Sequence, residues 1–162
     1  MDQPAAAVVT ELPPDFDRWD ELLALILRAF AYMEGIIDPP SSAHLLTPEN
    51  LKHKAQQETG FLAIENGRIV GCVFALERAE DFYVGKLAVE PEHQGQGLGA
   101  RLMQAVEDLA HRRGKHGIEL QTRIELTANQ ASFARMGFRE TGRTAHAGYH
   151  RPTSITMRKV VS

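Results

Sequence analysis

The chain has 162 residues, 43% of them hydrophobic and 24% charged, with a formal net charge of −3. That length fits one domain with a core of its own, and the composition is that of a globular protein. The slightly acidic balance provides no basic patch for nucleic acid and no polybasic stretch for a membrane surface. In chain order, Met1 to Phe16 lacks the basic start and long apolar stretch of a secretory signal. Ala6 to Leu12 reads as a first strand, ended by Pro13-Pro14. Asp17 is a candidate N-cap for a helix whose apolar face is Trp19, Leu22, Leu23, Ile26, Leu27 and Phe30. Its longest aliphatic run, Leu22 to Leu27, is far short of the ~20 residues of a membrane span. A cytoplasmic protein is expected by elimination.

Ala31 to Leu46 is aperiodic and, with Pro39-Pro40-Ser41-Ser42, reads as a loop. Thr47-Pro48-Glu49 opens a second helix that ends near Thr59-Gly60: a cap, a proline at the first position and an acid in the first turn. Asn66-Gly67 between Phe61–Glu65 and Arg68–Glu77 is a hairpin signal. The lone cysteine, Cys72, lies in that second run and is expected as a buried small hydrophobe. Phe82 to Val89 is a further strand. Leu98 to Arg113 is the longest helix, with Leu98, Leu102, Ala105, Val106 and Leu109 on one face and Gly114 as its stop. Arg112, Arg113 and Lys115 there complement the helix dipole. Ile118 to Ile124 is a strand. Thr127 and Gln130 suggest a capping box for a short helix closed by Gly137. Phe138–Thr144 and Ser154–Val161 complete a mixed sheet. Seven histidines match no complete zinc pattern, so no metal is expected.

The chemistry concentrates between Leu87 and Ala100. A strand ends at Val89, a glycine-rich turn follows, and a helix opens near Leu98. Free N–H groups and the positive dipole end of a helix attract an anion, and glycines let the backbone approach a phosphate. A P-loop is excluded because no lysine follows Gly95 at the required place. A dinucleotide fingerprint fits poorly, because the spacing is Gly95-x-Gly97-x-Gly99 and Glu119 starts its strand rather than ending it. Gln94-Gly95-Gln96-Gly97-Leu98-Gly99-Ala100 instead resembles the Gln/Arg-x-x-Gly-x-Gly/Ala signature of the GNAT superfamily of N-acetyltransferases. Leu87-Ala88-Val89-Glu90-Pro91 before it, and Asn129 to Met136 followed by Gly137-Phe138, are similar to the flanking parts of that family.

The resemblance implies one α/β domain over residues 1–162: a mixed, mostly antiparallel central sheet, splayed at the cofactor site and flanked by about four helices. It implies acetyl-CoA as co-substrate. The diphosphate would be held by the backbone from Gly95 to Ala100. Pantetheine would lie along Leu87, Ala88 and Val89, with Asn129 and Phe133 on its far side. The N–H of Val89 would polarise the thioester carbonyl while an amine attacks directly. An alkylamine has a pKa near ~10.4, so a base or a desolvated site must supply its neutral form. The partners implied are a small-molecule amine or peptide acceptor and, as in relatives, a second copy in a homodimer.

Two departures matter. Relatives often carry an acid tyrosine where this chain has Phe133; Tyr149 replaces it only if the tail folds back over the site. The position of the family's base carboxylate is Tyr83, which alternation puts on one face with Gly85, Leu87 and Val89. It reads as a proton relay through water or as a plain wall. The acceptor is expected between Phe30–His44 and the edge near Thr122, Arg123 and Glu125. There Glu34 and Asp38 would attract a cationic amine and Tyr32 would supply an aromatic face.

Overall fold

A computed structural model of the protein describes residues 6–161. Seven strands form one sheet in the order β1-β2-β3-β4-β5-β7-β6. They are β1 (Val8–Glu11), β2 (Thr59–Glu65), β3 (Arg68–Glu77), β4 (Asp81–Val89), β5 (Gly117–Arg123), β6 (Arg139–Thr144) and β7 (Ser154–Val160). Only β4 and β5 pair in parallel; the other neighbours are antiparallel. The helices are α1 (Trp19–Phe30), α2 (Pro48–Gln57), α3 (Leu98–Arg112) and α4 (Thr127–Arg135). This is the mixed α/β architecture expected from the element order.

The two sheet faces carry separate cores. One packs Phe61, Val70, Val73, Phe82 and Val84 against Leu98, Leu102, Val106 and Leu109 of α3. The other packs Leu62, Ile69, Cys72, Phe74 and Ala88 against α1 and Leu51 of α2. β3 feeds both, which is why it reads as a continuous apolar run rather than an alternating one. Cys72 is fully buried, and loss of solvation pushes its thiol up to about 12, so it is a packing group. Asn66 and Gly67 both take positive φ, 51° and 77°, as a two-residue hairpin turn demands. Thr47 forms a full capping box with Asn50 at the start of α2.

Three local expectations are corrected. α1 begins after Arg18, which makes no side-chain cap bond, so Asp17 is not the cap. The guanidinium of Arg18 instead clamps Glu21 at 2.8 Å, and the buried face of α1 runs through Leu22, Leu25, Ile26 and Ala29 while Leu27 is exposed. The Thr127–Gln130 capping box does not form, because Leu126 is the cap and Thr127 is already helical. Gln130 donates to the carbonyls of Arg123 and Ile124, at 3.1 and 3.0 Å, tying α4 back to the end of β5.

The third concerns β4. Phe74 faces Gly85 and Cys72 faces Ala88, so β4 has one more residue than β3 across that stretch. Lys86 absorbs the excess with φ at 53°. Such a bulge reverses the phase of alternation. Phe82, Val84, Leu87 and Val89 therefore face the α3 core, and Ala88 faces the α1 core. Tyr83 does not share a face with Leu87 and Val89.

Candidate active site

The sheet splits at the middle of β4. Asp81 to Val84 pair with Gly117 to Leu120 of β5, and the pairing stops there. Beyond it, Glu90 donates its N–H to the Val70 carbonyl of β3 at 2.8 Å. Adjacent residues of a strand point their backbone groups to opposite sides, so Val89 turns its N–H and C=O toward the gap. The gap widens into a cleft of about 900 Å³ lined from both sides of the sheet.

One end of the cleft is the glycine turn. Gly95 and Gly97 have φ of 83° and 79°, and a Cβ at either would meet nothing within 4 Å. Gly97 caps α3 without a side-chain bond, and the first intrahelical bond runs from the N–H of Arg101 to its carbonyl. The N–H groups of Leu98, Gly99 and Ala100 thus have no intrahelical partner. Open space, bare amides and a helix dipole fit an anionic group such as a diphosphate.

Of the residues expected at the cofactor, Leu87, Val89, Gln94, Gly95, Gly97, Leu98, Gly99, Ala100, Asn129 and Phe133 line the cleft. Two do not: Ala88 is buried in the α1 core, and Gln96 points into solvent from the turn. Gln94 closes the turn by donating to the Val89 carbonyl at 3.3 Å. Phe133 packs edge-on against Phe138, ring centroids 6.0 Å apart.

The residues expected to carry proton chemistry lie elsewhere. Tyr83 sits under the guanidinium of Arg78, 5.3 Å from its ring centroid, outside the cleft lining. Burial, then the nearby Glu119, pushes its hydroxyl above the usual range. The segment carrying Tyr149 does fold back, but onto the loop after α1: its hydroxyl donates to Asp38 at 2.5 Å. Arg151 holds the other oxygen of Asp38 at 3.3 Å. Asp38 is therefore a tie between two loops. Glu34 lies beside His44, 3.4 Å away, at a smaller pocket of about 240 Å³ formed by Phe30, Met33, Ile37 and Pro40.

Tyr32 and Thr122 do line the large cleft. Tyr32 accepts a hydrogen bond at 3.0 Å from the amide of Asn129, joining the turn after α1 to α4 across the opening. Thr122 is buried, and its hydroxyl has no hydrogen-bond partner. The same wall contains Lys86 and Arg123. Lys86 was not legible as a site residue: it is one cation in a strand, and the bulge that re-aims it leaves no mark in the sequence. Loss of solvation lowers the pKa of both groups.

Similarity to known proteins agrees with this architecture. The pattern of the Acetyltransferase (GNAT) family matches residues 19–138. The chain therefore belongs to the GNAT family of acetyltransferases. An IAA acetyltransferase from Azospirillum brasilense is 30% identical over 143 residues, 86% of this chain and 90% of that protein. N-alpha-acetyltransferase 30 from Schizosaccharomyces pombe is 33% identical over 86 residues, which span 50% of this chain and 57% of that protein. Among solved structures, an aminoglycoside 6'-N-acetyltransferase complexed with coenzyme A superposes with a TM-score of 0.76 at 17% identity, covering 96% of this chain and 97% of that one. No helix among the described residues is long and apolar enough to cross a membrane.

Proposed function

We propose that the protein transfers an acetyl group from acetyl-CoA to an amine that enters from the α1 side of the split sheet. The observation that carries this reading is the split itself, with an open strand edge at Val89 leading into an uncapped helix. Backbone amides of Gly97 to Ala100 would hold the diphosphate. The arm of coenzyme A would continue along Leu87 and Val89, beside Asn129 and Phe133. Complexation of the aminoglycoside enzyme with coenzyme A supports the same assignment.

In the reaction, the amine nitrogen bonds to the acetyl carbon, the carbon–sulfur bond breaks, and coenzyme A leaves as thiolate. The N–H of Val89 is a preset donor for the charge that develops on the carbonyl oxygen. No aspartate or glutamate lines the cleft among the described residues. Apolar groups Phe30, Met33 and Ile37 favour the neutral form of a bound amine by desolvation. The released proton then passes to water. A thiol of pKa near ~8.5 leaves without an acid, which accounts for a phenylalanine at 133.

The test is incubation with acetyl-CoA and a panel of amines, with free thiol as readout. Acceptor-dependent thiol release is expected, with kcat/KM rising with pH along the deprotonation of the amine itself. No release with any acceptor sinks the reading. One observation favours a second reading, a coenzyme A-binding module without turnover: neither tyrosine hydroxyl expected as an acid or relay reaches the cleft. In that case coenzyme A binds in calorimetry and no thiol appears.

A further inference from the structure

The acceptor side of the cleft carries two cations that make no ion pair among the described residues. Lys86 and Arg123 line it, both half-buried, and no carboxylate lines it among the described residues. Lys86 donates to the Ser42 hydroxyl at 2.9 Å. Arg123 donates to the carbonyls of Pro39 and Pro40, at 2.6 and 3.0 Å. These partners are neutral oxygens. An ammonium has three donors and a guanidinium five, so each keeps N–H groups to spare. A half-buried cation that makes no direct ion pair is costly, and a ligand anion that pairs with it is favoured. Between them in the sequence of the wall stands Thr122, whose buried hydroxyl also lacks a partner.

No surrounding carboxylate among the described residues forms an ion pair with either cation. Glu58 lies within electrostatic reach of Lys86, and Glu125 and Asp38 within reach of Arg123. Glu58 is bound by Lys54 at 2.7 Å. One oxygen of Glu125 accepts the N–H of Asp38 at 3.0 Å and the other is buried without a partner, so Glu125 acts on Arg123 only at a distance. Asp38 is held by Tyr149 and Arg151. Nor is this the phosphate end of the cleft. Lys86 precedes the end of β4 by three residues, about 10 Å of extended strand before the glycine turn begins. It also faces Ser42, on the α1 side.

We propose that Lys86 and Arg123, with the Thr122 hydroxyl, bind a carboxylate of the acceptor. The substrate class is then amino acids and related amines that carry a carboxylate, with an apolar arm resting on Phe30, Met33 and Ile37. This deepens and rests on the acetyl-transfer reading. It replaces the expectation that Glu34 and Asp38 attract a cationic amine, because neither carboxylate lines the large cleft. A carboxylate held by charge-assisted bonds is also how one site separates two amines that differ by a single group.

Two measurements test the proposal. The first compares amino acids with amines of the same carbon skeleton lacking the carboxylate. The carboxylated member of each pair is expected to have a kcat/KM at least about tenfold higher, the size of one charge-assisted hydrogen bond. Lys86→Met and Arg123→Met should erase that difference and leave the KM for acetyl-CoA within about twofold, tenfold being a full charge-assisted bond. Arg123 also anchors the Pro39-Pro40 loop, so Lys86→Met carries the decision if the other variant fails to fold. The second measurement needs no turnover. Ligand-observed NMR with hexanoate should show binding to the wild type, and none to Lys86→Met or for hexylamine. Equal rates for the two members of each pair, or no hexanoate binding to the wild type, overturn the proposal while acetyl transfer stands. A loss of acetyl-CoA affinity in Lys86→Met as large as the acceptor effect overturns it too, by assigning the cations to the donor. If no amine is acetylated but hexanoate binds through Lys86, the carboxylate site stands and the acetyl-transfer reading fails.

Discussion

The two halves of β4 have the same neighbour on one side and different fates on the other. From Phe82 to Val84 the strand is paired with both β3 and β5, and the one charge at its start, Asp81, is neutralised. Asp81 takes 2.6 and 2.7 Å hydrogen bonds from Arg78 and another of 2.6 Å from Arg158. A Cβ at Gly117 would come within 2.5 Å of the Arg158 guanidinium, so β5 opens on a glycine to let that arginine pass. From Lys86 to Val89 the strand keeps β3 but loses β5, and a lysine in left-handed backbone marks the change. The first half spends its backbone on stability. The second leaves backbone groups unpaired beside a cleft, which is tolerable only where a ligand or water can satisfy them. The proposed binding site therefore begins where the ladder ends.

That contrast can be broken from either half. The largest expected effect is at the ligand end. Gly97→Asp puts a negative charge and a side chain where the bare amides of α3 point, and should weaken coenzyme A binding at least about hundredfold, ~3 kcal/mol. Calorimetry measures it, and unchanged affinity would remove the turn from the site. In the paired half, Asp81→Asn removes the carboxylate that Arg78 and Arg158 share and leaves them only Glu119, at 3.3 and 3.7 Å. A stability loss of about 2 kcal/mol is expected in urea unfolding, with coenzyme A affinity intact. The carboxyl of Asp81 is held down to about 2, first by its hydrogen bond from Arg78. Because that folded value lies below the unfolded one near ~3.9, its contribution is complete above about pH 4 and fades as pH falls toward 2. The variant should lose less stability than the wild type across that window.

Smaller effects sharpen the picture of the cleft. Tyr32→Ala removes the bond to Asn129 and part of the acceptor wall. A rise of about tenfold in acceptor KM, one hydrogen bond's worth, is expected with acetyl-CoA KM unmoved; unchanged acceptor kinetics would take Tyr32 out of recognition. Phe133→Tyr should raise turnover severalfold at most and leave acetyl-CoA affinity alone. Tyr149→Phe should change the chemical step least of all, since that hydroxyl is engaged by Asp38. A severalfold fall in kcat there would show that the tail acts on the leaving group after all.

Local chemistry determined the larger part of what was legible. The hairpin at Asn66-Gly67, the cap at Thr47, the glycine stop at Gly114 and the turn from Gln94 to Ala100 each depend on a few adjacent residues whose φ or hydrogen bonding admits one solution. Amphipathic spacing likewise located α1 and α3, although it misassigned Leu27, because the buried stripe of a helix is set by what packs on it. What only the tertiary structure decided was register and pairing between distant segments. The bulge at Lys86 depends on how β4 counts against β3, and it moved Tyr83 off the site and Lys86 into it. Asp38 looked like a free carboxylate until Tyr149 and Arg151, more than a hundred residues away, were seen to occupy it. A strand's facing alternates every residue, so one extra residue inverts every side chain beyond it, and no local signal in β4 announces that count.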